Sequence, residues 1–243
     1  PSTSGPPRRY RHPLFSQMPL FLRQTHAILW KDLKTEVRTK ERLSAMCFFA
    51  FLIVLVFNFA FKPGSAIMKS AAPGIFWIAV TFAGLMGLTR SFTMERNNDC
   101  LMGLLLTPAD RGAIYLGKML ANLITMLVME ALVLPLLVLF LNIDLWSCMP
   151  QILLPVFLGS LGFAAVGTLF AAMSINTRLQ EALLPMLTLP ILVPALLAAV
   201  ESFGAILAGD PLSEVSSWLE LSLAFSVLFI TISLLLFDYV VEE

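Results

Sequence analysis

Long apolar runs separated by short polar stretches dominate the pattern along the chain. A helix needs about 20 mostly apolar residues to cross a hydrocarbon core of about 30 Å. Six runs meet this requirement, at about residues 43–61, 74–92, 113–141, 150–173, 182–200 and 217–238. The pattern therefore predicts an all-α integral membrane protein with six transmembrane helices.

The composition agrees with a membrane protein and excludes several other classes. Hydrophobic residues make up 58% of the chain and charged residues 13%, whereas soluble domains carry about 25% charged residues. A net charge of zero gives no basic field for nucleic acid. Cys47, Cys100 and Cys148 lie far apart, and His12 and His26 both precede the first span. We therefore expect no disulfide framework, no metal site and no cofactor bound by this chain.

The positions of the basic residues predict the orientation in the membrane. Of the 16 Lys and Arg residues, nine precede the first span, four lie between spans two and three, and one follows span four. Only Lys62 and Lys69 belong to the opposite side. The positive-inside rule therefore places both termini in the cytoplasm.

Two segments precede the first span. Residues 1–19 are rich in Pro, Ser and Arg, and we expect a disordered tail or an upstream artefact. In the segment "FLRQTHAILWKDLKTEVRTKER", Leu22, Leu29, Leu33 and Val37 recur at roughly helical spacing among charged residues. This favours an amphipathic helix in the membrane interface; the alternative is a soluble helix packed on a partner.

The stretch "GAIYLGKM", Gly112 to Met119, has the outline of an ATP-binding loop. Such a loop follows a strand and needs a Ser or Thr for Mg²⁺, but Met119 takes that place and an apolar span follows. We interpret the stretch as the cytoplasmic entrance to span three. There Tyr115 would lie in the interfacial belt beside Gly117, and Lys118 would extend its amine to the headgroups. Because no catalytic constellation is visible, we expect a protein that is not an enzyme.

Span three carries two polar residues within its apolar sequence. Asn122 and Glu130 are about two helical turns apart and hence on about the same face. A charge near the bilayer centre costs at least about 2.5 to 3.5 kcal/mol, so Glu130 is a functional candidate. The alternative is an acid that holds helices together.

Spans four and five carry unusual residue patterns. Small residues recur every fourth position in span four, which predicts a close-packing face inside the monomer or at a dimer seam: Ser160, Ala164, Thr168 and Ala172. Three prolines predict that span five is kinked or re-entrant, either beside a pathway or as static kinks: Pro185, Pro190 and Pro194.

The connection between spans two and three, at about residues 92–106, predicts a further amphipathic helix. Glu95 and Asp99 stand four residues apart, and three leucines form an apolar patch: Leu101, Leu104 and Leu105. Such a helix could bind a partner or rest on the membrane.

Several stretches together resemble the haem exporter protein B family. They are "APGIFWIAVTFAGLMGLTRSF", "MERNNDCLMGLLLTPADRGAIYLGK" and "LVLPLLVLFLNI", with "FNFAF" in span one and "LTLPILVPALL" in span five. The family is the permease subunit of the ABC-type complex for cytochrome c maturation. The resemblance runs from about residue 20 to the C-terminus, so residues 20–243 would form one permease domain.

The resemblance implies a function and a set of partners. It implies haem export or release of a haem-loaded chaperone, driven by a separate ATPase subunit and located in the bacterial inner membrane. It also implies two copies of each subunit, a haem-handling membrane protein, a small membrane subunit and an outer haem chaperone. The segment 92–106 would be the coupling helix, with Glu95, Arg96 and Asp99 contacting the ATPase. The alternatives are a non-transporting scaffold of cytochrome c assembly and an ABC permease for another substrate.

Overall fold

In the computed structural model the described residues are 19–97, 110–174 and 180–240. Seven α-helices cover nearly all of these ranges: α1 (Leu20–Thr39), α2 (Glu41–Ala60), α3 (Ala66–Asn97), α4 (Arg111–Leu141), α5 (Met149–Ser174), α6 (Gln180–Ala208) and α7 (Leu212–Val240). A short 3-10 helix, Trp146–Cys148, precedes α5. The described ranges contain no strand, and the predicted all-α fold is confirmed.

Six of these helices are long and apolar enough to cross a membrane, and they lie at the six predicted places. Two of them extend about eight residues beyond the predicted bounds. Span two begins at Ala66 rather than near residue 74, because the helix continues through Pro73. Span five continues past residue 200 to Ala208, beyond the charged Glu201. The chain is a multi-pass membrane protein.

Spans two and four form the centre of the bundle. In the most apolar 18-residue stretch of each helix, 72% of the residues are buried in Ala66–Thr93 and 78% in Trp146–Ser174. The corresponding values are 17% in Glu41–Ala60 and 22% in Ser213–Phe237. Helix α5 contacts α3, α4, α6 and α7, and α4 contacts α1, α2, α3, α5 and α7. Through their mutual contact, α4 and α5 therefore connect α1 and α2 on one side of the bundle with α6 and α7 on the other.

The small residues of span four account for its central position. Ser160, Ala164, Thr168 and Ala172 are all buried within this chain, so their face packs inside the monomer. A Cβ atom added at Gly159 would lie 2.2 Å from Trp77 of α3, and one at Gly167 would lie 2.4 Å from Leu88. Glycine at these two positions leaves room for the Trp77 and Leu88 side chains between α3 and α5.

Span five runs without a break through its three prolines, Pro185, Pro190 and Pro194. A continuous helix of 29 residues favours a crossing helix over the re-entrant alternative. Pro190 and Pro194 are exposed on the outside of the chain, and Pro185 is half-buried. A kink and a pathway role stay predictions.

Helix α1 packs along α4 and makes few contacts with α2, which follows it in sequence. Thr25 and Ile28 of α1 are buried, whereas Leu22 and Val37 of the expected apolar face are exposed. Lys40, with φ of 54°, forms the left-handed turn between α1 and α2. The position of α1 in the membrane interface stays a prediction.

The predicted coupling helix falls largely outside the described residues. Helix α3 continues to Asn97, so the backbone of Glu95 and Arg96 belongs to its last two turns. The other residues assigned to that helix lie outside the described ranges: Asp99, Leu101, Leu104 and Leu105.

Candidate functional site

The stretch "GAIYLGKM" lies in the first turns of α4. Asp110 caps the helix, because its side chain accepts a hydrogen bond of 2.8 Å from the Gly112 amide. Gly112 to Met119 are all helical, so their amides are not arranged as the open loop that cradles phosphates. The stretch is a helix start and offers no nucleotide site.

Tyr115 and Lys118 are both buried within the bundle. Tyr115 is fully buried and its hydroxyl donates a hydrogen bond of 3.0 Å to the Ala165 carbonyl of α5. Lys118 is only 2% exposed, and its Nζ lies 3.4 Å from Oδ2 of Asp32. The expectation of a Lys118 amine among the headgroups was therefore wrong, because α1 covers that side chain. Tyr115 packs against α5 and α7, and its place in the interfacial belt stays a prediction.

Of the glycines of α4, Gly117 lies closest to α1. A Cβ atom added there would lie 2.8 Å from Cβ of Ile28 and 3.0 Å from the Thr25 carbonyl oxygen. Backbone cannot give way as a flexible side chain does, so a larger residue at this position would push α1 outward.

Asn122 belongs to a buried polar network that joins four helices. Its Oδ1 accepts a hydrogen bond of 2.8 Å from Arg42, at the start of α2, and its Nδ2 donates one of 2.9 Å to Thr168 of α5. Arg42 also donates to Thr125 of α4, and its Nε lies 3.2 Å from Oε2 of Glu36 in α1. The planar guanidinium suits this role, because its donors point in several fixed directions.

A small cavity lies beside this network. Arg42, Asn122 and Thr125 line it on one side, and Gly84 and Gly87 of α3 line it on another. Its volume of about 10 Å³ is about that of one water molecule, whereas pockets for small ligands measure about 300 to 1,000 Å³. In this conformation the network organises the bundle and does not enclose a ligand.

Glu130 lies about 12 Å further along α4 than Asn122. It is 1% exposed, and its Oε1 accepts a hydrogen bond of 2.5 Å from the Ser160 hydroxyl of α5. Its second carboxylate oxygen has no hydrogen-bond partner among the described residues. Glu130 is thus a buried acid with one oxygen satisfied and the other available.

The two polar residues predicted on span three therefore share one face, which is turned towards α5. Eight residues separate Asn122 from Glu130, and eight separate Ser160 from Thr168 in the reverse order. This matching is expected for antiparallel neighbours, in which polar side chains at equal depth meet across the interface. The equal spacing was visible in the sequence and could have paired the two helices; Arg42, Thr125 and Glu36 carried no comparable signal.

The remaining reactive side chains do not form a site in the described ranges. No group of three or more His, Cys, Asp or Glu residues with metal-binding geometry occurs there. Cys47 and Cys148 are free thiols and half-buried, while Cys100 lies outside the described residues. The polar face of α4 is therefore the principal candidate site.

Comparison with known proteins identifies the family. A family model described as "CcmB protein" matches residues 23–241. The chain is similar to "Heme exporter protein B" of Pseudomonas aeruginosa, with 29% identity over 182 residues, 75% of this chain and 81% of the relative. It is also similar to "Heme exporter protein B" of Paracoccus denitrificans, with 28% identity over 201 residues, 82% of this chain and 91% of the relative. The resemblance found in the sequence is confirmed, and the chain belongs to the CcmB protein family.

Proposed function

We propose that this chain is the membrane permease subunit of an ABC-type complex that exports haem, or releases a haem-loaded chaperone, during cytochrome c biogenesis. The observation that carries the proposal is the family match over residues 23–241, together with relatives named "Heme exporter protein B". The six candidate spans support a subunit that is built into the membrane.

ATP hydrolysis then belongs to a separate subunit, and this chain is not an enzyme. Support comes from the helical start of α4, which leaves no loop for phosphate in the one stretch that resembles a nucleotide motif. The concentration of Lys and Arg before span one and between spans two and three supports cytoplasmic termini in a bacterial inner membrane.

The coupling to the ATPase runs through the segment at about residues 92–106. This segment includes the end of α3 and precedes α4 in the sequence by five residues, so a force on it would act on both helices. Glu95, Arg96 and Asp99 supply the polar contacts, and Leu101, Leu104 and Leu105 the apolar ones. Because α3 is central and α4 contacts five other helices, displacement of this segment would move the core of the bundle.

The complex contains two copies of this chain and two of the ATPase. It includes a haem-handling membrane protein, a small membrane subunit and a haem chaperone on the outer side. The cavity beside Arg42 holds about one water molecule, so haem does not enter there in the present conformation. Transport through this subunit therefore requires a rearrangement driven by ATP, whereas chaperone release does not require a haem-sized path.

The docking segment is tested by charge reversal. We expect the double variant Glu95→Lys/Asp99→Lys to lose most of the ATPase that co-purifies with the complex, since reversing both charges disrupts the electrostatic match proposed for this contact. The matched control is Glu214→Lys/Glu220→Lys, which reverses two exposed acids at the opposite end of the bundle and should keep the ATPase. Unchanged association in the first variant would contradict the docking assignment.

The transport step is tested in vesicles that contain the purified complex. We expect ATP-dependent movement of haem into the lumen, or ATP-dependent release of haem-loaded chaperone, and loss of both in the docking variant. Movement of haem identifies export, and release without movement identifies the chaperone role. ATP turnover with neither product would contradict the proposed function.

A further inference from the structure

Helix α1 runs beside the first half of α4 in the same direction, and polar side chains of α1 link the two helices. Gln24 accepts a hydrogen bond of 3.2 Å from the Asp110 amide, and Asp32 lies 3.4 Å from Lys118. The residue numbers of both pairs differ by 86. Contacts further along α1 meet residues further along α4, so the two helices run side by side in the same direction.

The third link reaches α4 through Arg42. Glu36 is four residues beyond Asp32 on α1, and Asn122 is four residues beyond Lys118 on α4. The guanidinium of Arg42 lies between Glu36 and Asn122, 3.2 Å from the first and 2.8 Å from the second. The close contact at Gly117 fills the interval between the first and second links.

Glu36 also fixes the turn that leads into α2. Its Oε1 accepts a hydrogen bond of 2.8 Å from the Leu43 amide, in the first turn of α2, while its Oε2 pairs with Arg42. The left-handed Lys40 lies between these partners. One carboxylate and one guanidinium therefore hold the end of α1, the start of α2 and the middle of α4 together.

We propose that Arg42 is a positioning residue that fastens α1 to the first half of α4, so that the two helices move as one body. Arg42 is 5% exposed, and its guanidinium contacts both Glu36 of α1 and Asn122 of α4. Gln24 accepts a hydrogen bond from the amide of Asp110, which lies four residues after the coupling segment and directly before α4. Displacement of that segment would therefore carry α1 together with α4. This last step rests on the proposed function, whereas the fastening does not.

The fastening is tested by hydrogen–deuterium exchange of the full complex in lipid nanodiscs without nucleotide. We expect Arg42→Gln to increase the exchange rate of α1 amides at least tenfold, with little change in α5. Arg42→Lys should have an intermediate effect, because lysine keeps the charge but cannot bridge the three partners. The matched control is Arg38→Gln, an exposed arginine near the end of α1, which should exchange as the wild type. Unchanged α1 exchange in Arg42→Gln would overturn the proposal.

Exchanging the charges of Asp32 and Lys118 distinguishes a lost contact from general misfolding. Asp32→Lys and Lys118→Asp should each accelerate α1 exchange, and the double variant should recover at least half of the change, because the ion pair is restored in reverse. If the double variant shows only the combined effect of the two single changes, the Asp32–Lys118 link does not fasten α1, and unchanged α1 exchange in Arg42→Gln would then overturn the fastening altogether.

The movement is tested by adding ATP to the same samples. We expect α1 and the first turns of α4 to change exchange together in the wild type, and α4 alone to change in Arg42→Gln. A wild-type response of α4 without α1 would overturn movement as one body. If neither helix responds to ATP although Arg42→Gln releases α1, the coupling in the proposed function fails and the fastening stands.

Discussion

Two buried polar groups on α4 differ in how completely their hydrogen bonds are satisfied. Asn122 uses its carbonyl oxygen for Arg42 and its amide nitrogen for Thr168, and so connects α2 and α5. Glu130 uses one oxygen for Ser160, and its other oxygen has no partner among the described residues. The two residues share one helix face and nearly equal burial, with 4% and 1% exposure.

The difference separates a structural role from a functional candidate. A buried polar group with all partners present holds helices in one arrangement, while a partly satisfied one costs free energy that packing does not recover. Asn122 therefore fits a residue that specifies the bundle. Glu130 fits a residue whose free oxygen serves another purpose, and the following changes test this contrast.

The largest effect is expected for Asn122→Leu. Leucine removes the acceptor for a buried guanidinium and the donor to Thr168, so we expect the free energy of unfolding to fall by about 2 to 3 kcal/mol. Reversible unfolding in mixed micelles measures this. The double variant Arg42→Met/Asn122→Leu should cost less than the two single changes combined, because both act on one network. Additive losses would show that the two residues are independent.

A smaller effect is expected for Thr168→Val, which keeps the shape and leaves only the Asn122 amide without its acceptor. Hydrogen bonds between membrane helices contribute about 0.6 kcal/mol on average and up to about 1.7 kcal/mol, and we expect a loss of about 1 kcal/mol. Thr231→Val is the matched control, because Thr231 is exposed and bonds only to the Val227 carbonyl of its own helix. Equal losses in the two variants would remove Thr168 from the network.

The fold could be predicted from the sequence because each span carries its own signal. Apolar length identified all six helices, and the spacing of small residues identified the close-packing face of α5, since both depend only on nearby residues. The partners of charged residues could not be predicted in this way. Lys118 resembles a lysine that extends to headgroups, and it pairs instead with Asp32 because α1 folds back over α4.

The face of α1 illustrates the same limit. Helical periodicity selected Leu22, Leu29, Leu33 and Val37 as the apolar face, yet the face that packs on α4 includes Thr25, Ile28 and Asp32. Periodicity describes one helix, whereas the packing face depends on which residues of α4 allow close approach. Gly117 provides that approach, and its partner on α1 lies about 90 positions earlier.

The smallest effect on stability, and the most informative effect on function, is expected for Glu130→Gln. Glutamine keeps an oxygen for the Ser160 hydroxyl and nearly the same volume, so the free energy of unfolding should change by less than about 1 kcal/mol. We expect ATP-dependent haem movement or chaperone release to fall at least fivefold, because the carboxylate oxygen without a partner is replaced by an NH₂ group. Glu220→Gln, an exposed acid of α7, should retain full function. Wild-type function in Glu130→Gln would instead assign Glu130 to holding α4 and α5 together. Asn122 and Glu130 would then both have structural roles and would differ only in how much each stabilises the bundle.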